Sequence, residues 1–340
     1  DASGEIADHY AKVDSRVRHV RQPNGGLGSA RQRGQDEATG DFITWLDADD
    51  FLAPTFAEKM LATAERDGVD MVCGNAIVFS DKTFNTRRYF PHPAASNLTF
   101  TTSPSYWKSK VVWRWIFSLP FLRTGQDGAP FSHPGYRLGQ DVCFMFETLP
   151  RVKAFSQCSD EVYFFRQEHK KSYGSLETEI NHQLAHFEAV KGILLPMGHI
   201  KPFVKYVNEN YWRDIKAIAP RLPGEERWAD RVLELGTALF RDTDPAWFEA
   251  SFLAPELKAN AELVPLASAF RAGDTATARK FIDGLARNAE PDVDKTSAFH
   301  TLRRRIKAFF HPVSRMTRSR LHDLERRAAS RSLPKPSSSR

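Results

Sequence analysis

The sequence predicts an α/β sheet domain followed by an all-helical region, and three observations carry that prediction. Apolar runs of strand length alternate with segments of helical period up to residue 166, Pro and Gly punctuate the junctions between them, and beyond residue 176 only helical periods remain. Residues 17–22, branched and charged, read as the first strand. Pro23, Asn24, Gly25 and Gly26 end it before a helical stretch over 27–38 that Gly40 stops. Phe42, Ile43, Thr44, Trp45 and Leu46 form a near-continuous apolar run, the pattern of a strand covered on both faces, and it ends abruptly at Asp47-Ala48-Asp49-Asp50. Pro54 suits the first turn of a helix, and Phe56, Met60, Leu61 and Ala64 recur at helical spacing until Gly68. Residues 69–79 read as a third strand.

Residues 80–135, rich in Pro, Ser, Thr and aromatics, hold no sustained period and read as an excursion around a cleft. A helix over 139–149 and a strand over 162–166 follow. Helical periods then occupy 181–195, 204–218, 227–240, 263–271 and 275–286, separated by Pro and Gly. The expected organisation is an α/β domain over residues 1–176, a helical domain over 177–300, and over 301–340 a basic amphipathic helix with a polar Pro/Ser tail too poor in apolar residues to order itself.

Charge narrows the function classes. Lys and Arg number 48 against 42 Asp and Glu, a net +6, yet residues 301–340 alone hold 12 basic and 2 acidic side chains, so the first 300 residues carry −4. A nucleic-acid binder needs its positive charge on the folded body, and that class is excluded. No run approaches the roughly 18 apolar residues of a membrane span, and the first residues lack the charged and apolar regions of a signal peptide. With three widely spaced cysteines, Cys73, Cys143 and Cys158, these features read as a reducing, cytoplasmic setting. The basic tail suits the anionic inner face of a plasma membrane, at roughly 1 kcal/mol per basic residue near the surface; packing one face on the helical domain is the other reading.

Three segments carry chemistry. Three carboxylates at the exposed end of a buried strand, in Asp47-Ala48-Asp49-Asp50, repel one another unless a cation sits among them, and a hard divalent ion is the natural partner. In open α/β sheets ligands bind at the carboxyl ends of strands. A solvated turn capping the next helix is the plainer alternative. Upstream, Asn24-Gly25-Gly26-Leu27-Gly28-Ser29-Ala30-Arg31-Gln32-Arg33-Gly34 combines glycines that allow close backbone approach with a helix start and two cationic forks suited to phosphate, though it is neither a Walker A loop nor a G-x-G-x-x-G turn. Downstream, Gly139-Gln140-Asp141 opens a helix in apolar surroundings. A carboxylate there can act as general base toward an alcohol, or simply favour the helix dipole. His182 and His186 stand at i, i+4, a metal-compatible spacing without the Glu of H-E-x-x-H, and read as surface or packing residues. Tyr106, Trp107, Trp113, Trp115 and Phe117 suit either stacking on sugar rings or a structural core.

In this order the segments resemble the family 2 glycosyltransferases, whose pattern is V-D-D-G-S-x-D, N-x-G-x-x-x-A-R-N-x-G, A-x-G-x-(Y/F)-I-x-(F/W)-L-D-x-D-D, then E-D, then Y-x-Y/F-R. The chain offers Asp1-Ala-Ser-Gly-Glu5, Asn24 to Gly34, Ala38-Thr-Gly-Asp-Phe-Ile-Thr-Trp-Leu-Asp47-Ala-Asp49-Asp50, Gly139-Gln-Asp141 and Tyr163-Phe-Phe-Arg166. That resemblance implies a GT-A-like, Rossmann-like nucleotide-sugar domain over 1–176, without the family's opening strand, helix and second strand. It implies Asp141 as catalytic base; Asp1, Asn24, Arg31, Asp47, Asp49 and Arg166 as nucleotide-sugar-binding residues; and Asp49 with Asp47 as ligands of Mn²⁺ or Mg²⁺. Gln140 stands where the family usually has Glu, and residues 166–175 are longer than the usual spacing, so His169, Lys170 and Lys171 have no firm counterparts. The implied partners are a nucleotide-diphosphate sugar donor and a glycan or lipid-linked acceptor of the cell envelope, with inversion at the transferred sugar. A non-catalytic assembly module that keeps a remnant of this fold is the alternative of a different class.

Overall fold

The computed structural model of the chain describes residues 2–108, 110–125, 128–135, 138–167, 175–249, 252 and 262–288. Strands β1 (Phe42–Ile43), β2 (Phe51–Leu52), β3 (Met71–Phe79), β4 (Thr86–Tyr89), β5 (Ala95–Leu98), β6 (Trp115–Ser118) and β7 (Phe155–Arg166) build one mixed sheet in the order β1-β6-β3-β7-β2, with β4 also on β3 and β5 also on β7. The long central pair, β3 and β7, is parallel, with Met71 opposite Phe155 and Phe79 opposite Arg166. Antiparallel pairing of Phe51 with Phe164 and Leu52 with Tyr163 ties the segment after Asp50 to β7. That register brings the aspartate-rich turn to the end of β7.

Alternation along the strands sorts side chains onto two faces. Val72, Ile116, Cys158 and Val162 meet Phe56, Met60 and Ala64 of α3 (Phe56–Asp67) on one face. Met71, Cys73, Trp115, Phe117 and Phe155 face the other way, onto Phe144 and Phe146 of α5 (Gln140–Thr148). From there the same core continues into the helices: α6 (Leu176–Thr178), α7 (Ala185–Leu194), α8 (Ile200–Tyr206), α9 (Trp212–Ile218), α10 (Glu226–Phe240), α11 (Leu263–Arg271) and α12 (Thr275–Asn288). Two π-helical turns, Glu179–Leu184 and Val207–Tyr211, interrupt this series. Phe187, Phe203 and Phe240 are fully buried within it, and truncating any of them to Ala costs roughly 3–5 kcal/mol. Sheet and helices belong to one compact unit, Asp1–Arg287. The change from mixed to helical structure between Arg166 and Leu176 is thus bridged by a shared core.

Several elements differ from the sequence reading. The strand expected over 17–22 does not form: the chain there is irregular, and Arg18 and Arg21 pair with the side chains of Glu37 and Asp8. A strand needs a neighbour to take its backbone groups, and side-chain partners do not replace one. Ahead of it lies an unforeseen helix, α1 (Ser3–Val13). The run 42–46 yields only the short β1, because at Thr44 the side-chain hydroxyl, 2.8 Å from the Trp115 carbonyl, takes over the contact with β6; Trp45 turns inward while Leu46 stays half-exposed. Within 80–135, read as an excursion around a cleft, lie β4, β5, β6 and α4 (Leu119–Thr124). Their shortness hid them. The aromatic cluster is core, since Tyr106, Trp107, Trp113, Trp115 and Phe117 are all buried. Among the described residues no helix is long and apolar enough to cross a membrane. The basic segment 301–340 lies outside the described residues.

Candidate active site

The turn from Asp47 to Asp50 is closed by the Asp50 N–H on the Asp47 carbonyl at 3.0 Å and held from β7. The Tyr163 hydroxyl accepts from the Asp47 N–H at 3.2 Å and donates to Asp50 Oδ2 at 2.7 Å. Arg166 donates its backbone N–H to Asp50 Oδ1 and its Nε–H to the Asp49 carbonyl, each at 2.7 Å. Its guanidinium also pairs with Asp81 and lies over the Phe79 ring. Burial raises the Asp50 carboxyl above its ordinary value, against the pull of those two donors. Asp50 is therefore the structural member of the trio. Asp47 and Asp49 keep part of their surface in solvent.

Arg31 joins this turn to a distant segment. It projects from α2 (Gly26–Glu37) with its side chain 4% exposed, forks one nitrogen to Asp47 Oδ1 at 2.9 Å and gives the other to Asp141 Oδ1. A planar fork suits two carboxylates at once where a point charge does not. The helix reaches that position because Gly28 sits flush on its neighbours: a Cβ there would stand 2.4 Å from the Pro134 carbonyl oxygen and 2.7 Å from Gln140 Oε1. The glycine-rich segment thus uses close approach at Gly28 for helix packing. Asn24 is exposed and starts α2, its Oδ1 accepting from the Gly26 N–H at 3.1 Å.

Asp141 lies in the first turn of α5, whose N-cap is Gly139 in the left-handed region at φ +83°. Its carboxylate takes the Arg31 guanidinium and the Val112 backbone N–H. Burial nevertheless raises its pKa, with Arg31 opposing. Beneath Arg31, the His133 ring stacks on Phe144 at 4.0 Å and meets the edge of Trp45. Burial first, and the Arg31 charge second, push His133 down to about 3, so it is neutral. Gln140 is buried with no partner for Oε1.

The structure therefore brings Arg31, Asp47 and Asp141 into one ion-paired cluster, with Asp49 and Arg166 adjoining it. Asp1, His169, Lys170 and Lys171 lie outside the described residues. Tyr163, His133 and the Val112 N–H were not singled out from the sequence; only Tyr163 left a signal, as the first residue of Tyr163-Phe-Phe-Arg166. Among the described residues no group of three metal-ligating side chains assembles. Asp47 and Asp49, both partly exposed, are the carboxylates that could hold a Mg²⁺ or Mn²⁺, an ion bound through one or two carboxylates only when other oxygens complete its shell.

The mixed sheet carries helices on both faces, and a buried Arg ties the Asp47–Asp50 turn to a carboxylate at a helix start; with the likeness to TarS given below, this is a GT-A-like fold. Residues 1–139 match the model of Glycosyl transferase family 2. The uncharacterized glycosyltransferase EpsJ of Bacillus subtilis is 34% identical over 170 residues, 44% of this chain and 48% of its own. EpsH of the same organism is 42% identical over 81 residues, 24% of each chain. The chain thus spans between a quarter and a half of the length of these relatives. Among solved structures, S. aureus TarS 1-349 in complex with UDP-GlcNAc superposes with a TM-score of 0.63 at 15% identity, over 86% of this chain and 81% of that one, a likeness of fold.

Proposed function

We propose that the protein transfers a sugar from a nucleotide-diphosphate donor to a hydroxyl of a cell-envelope glycan, with a divalent cation and with inversion at the anomeric carbon. The observation that carries this reading is the Arg31 bridge, which links the Asp47–Asp50 turn to Asp141. In the mechanism Asp141 takes the proton of the acceptor hydroxyl, the freed oxygen forms the new bond to the anomeric carbon, and the bond to the nucleotide diphosphate breaks on the opposite face. Burial raises the Asp141 pKa above that of an ordinary carboxylate, with Arg31 opposing, and a more basic carboxylate is the better proton acceptor. A cation held by Asp49 and Asp47 would neutralise charge on the departing diphosphate.

TarS has been solved with UDP-GlcNAc and with UDP, which makes a UDP-sugar the first donor to test. The basic segment 301–340 supports an acceptor that is lipid-linked or gathered at an anionic membrane surface. Calorimetric titration with UDP, GDP, CDP and TDP, each with and without Mn²⁺, tests the reading. One nucleotide should bind with Mn²⁺ and lose at least about tenfold in affinity without it, a difference of about 1.4 kcal/mol. If none of the four binds under either condition, the non-catalytic assembly module becomes the better reading.

A further inference from the structure

We infer that His186 and Tyr206, both in the helical region, are positioning residues for Asp141 and act through the backbone on either side of it. The inference rests on the reading of Asp141 as the base. Gly139, two residues ahead of Asp141, lies flat against the His186 imidazole: a Cβ at Gly139 would stand 2.4 Å from His186 Cγ and 2.6 Å from Nδ1. The left-handed backbone that starts α5 is therefore shaped to a ring supplied by α7. The contact is reinforced from α5 itself, where the Cys143 thiol donates to the His186 carbonyl.

The ring is locked in turn. His186 is 3% exposed, and its Nδ1 lies 3.3 Å from the His182 carbonyl, which can only accept. Nδ1 therefore carries the proton, and Nε2 accepts from the Tyr206 hydroxyl. Tyr206, at the end of α8, meets the edge of Phe146 of α5 at 5.3 Å and stacks on Phe187 at 5.1 Å. Above its ring, 4.2 Å from the centroid, sits the Lys110 ammonium. Lys110 is two residues from Val112, whose N–H bonds the Asp141 carboxylate. One His–Tyr pair thus braces both the backbone that leads into Asp141 and the segment that donates to it. Each member adjoins a π-helical turn, Glu179–Leu184 before His186 and Val207–Tyr211 after Tyr206, and such turns recur at functional sites. A displacement of about 1 Å at a reacting group can cost about 100-fold in rate.

The test compares Tyr206→Phe, His186→Ala and His186→Gln with the wild-type chain. UDP release from UDP-GlcNAc with Mn²⁺ and an isolated envelope-glycan fraction gives kcat and KM, and amide hydrogen exchange at Val112 gives a readout that needs no turnover. Tyr206→Phe should lower kcat about tenfold and His186→Ala about 100-fold with donor KM within about twofold. His186→Gln, which keeps an acceptor for the Tyr206 hydroxyl, should recover most of the loss. Exchange at Val112 should quicken in the first two variants while that at Val72, on the far face of the sheet, is unchanged. Wild-type exchange at Val112 in Tyr206→Phe, or faster exchange at Val72 to the same degree, would overturn the inference. Asp141→Asn, run alongside, separates the two claims: full turnover in that variant removes Asp141 as the base, whereas the Val112 exchange still decides whether the pair braces this segment.

Discussion

The two carboxylate-bearing segments of the site, Asp47–Asp50 and Gly139–Asp141, share one guanidinium but are supported in different ways. The first is held within the sheet, by Tyr163 and Arg166 of the strand beside it. The second stands on the helical region, through the His186 ring under Gly139. Side chains carried beside paired strands are fixed by backbone register. A carboxylate at a helix start has no such ladder and depends on what packs behind it. The helical region is in this sense part of the site, and the core shared between sheet and helices is what conveys its rigidity.

The contrast can be broken first at the residue common to both segments. Arg31→Ala leaves two largely buried carboxylates without their cation, and urea unfolding should show a loss of about 3 kcal/mol, the low end for a broken buried pair because both carboxylates keep some solvent. Arg31→Lys should recover only part of that, since an ammonium does not reproduce the two-way fork.

A smaller and pH-dependent effect sharpens the second segment. Gln140 is buried against Gly28 with its Oε1 unpartnered, so Gln140→Glu puts a carboxyl there with no donor to meet it. Its folded-state pKa should rise above the unfolded value, which means the folded form binds the extra proton. The destabilisation should therefore be near zero below about pH 4 and grow to about 2 kcal/mol as pH rises through that folded value. A loss in urea midpoint that is equal at pH 4 and pH 8 would contradict this account of Gln140.

The Asp47–Asp50 segment was the more legible of the two in the sequence. The apolar run before Asp47-Ala-Asp49-Asp50 marks the turn, although only Phe42 and Ile43 of it pair as a strand, and the helices at 26–37, 56–67, 140–148, 226–240 and 263–271 fall within two residues of their periodic patterns. What stayed hidden depends on long-range pairing. Residues 17–22 have strand composition but no ladder partner, and β4, β5 and β6 are too short to declare a period. His186 illustrates the same limit at the site. Its spacing from His182 suggests at most a metal pair or packing, and nothing local says that its ring meets Gly139, 47 residues earlier. Likewise Asp141 and Arg31 are 110 residues apart, and only the fold reveals that they bond.

The measurement that tests the central claim most directly is the paired donor affinity and turnover of Asp49→Ala and Asp141→Asn. The account predicts a split. Asp49→Ala should weaken Mn²⁺-dependent donor binding by at least about tenfold. Asp141→Asn should leave that binding within a few-fold of wild type and lower turnover by about 10²- to 10⁴-fold. Near-normal turnover in Asp141→Asn, or an equal loss of donor binding in both variants, would contradict the division of the site into a donor-binding turn and a separately braced base.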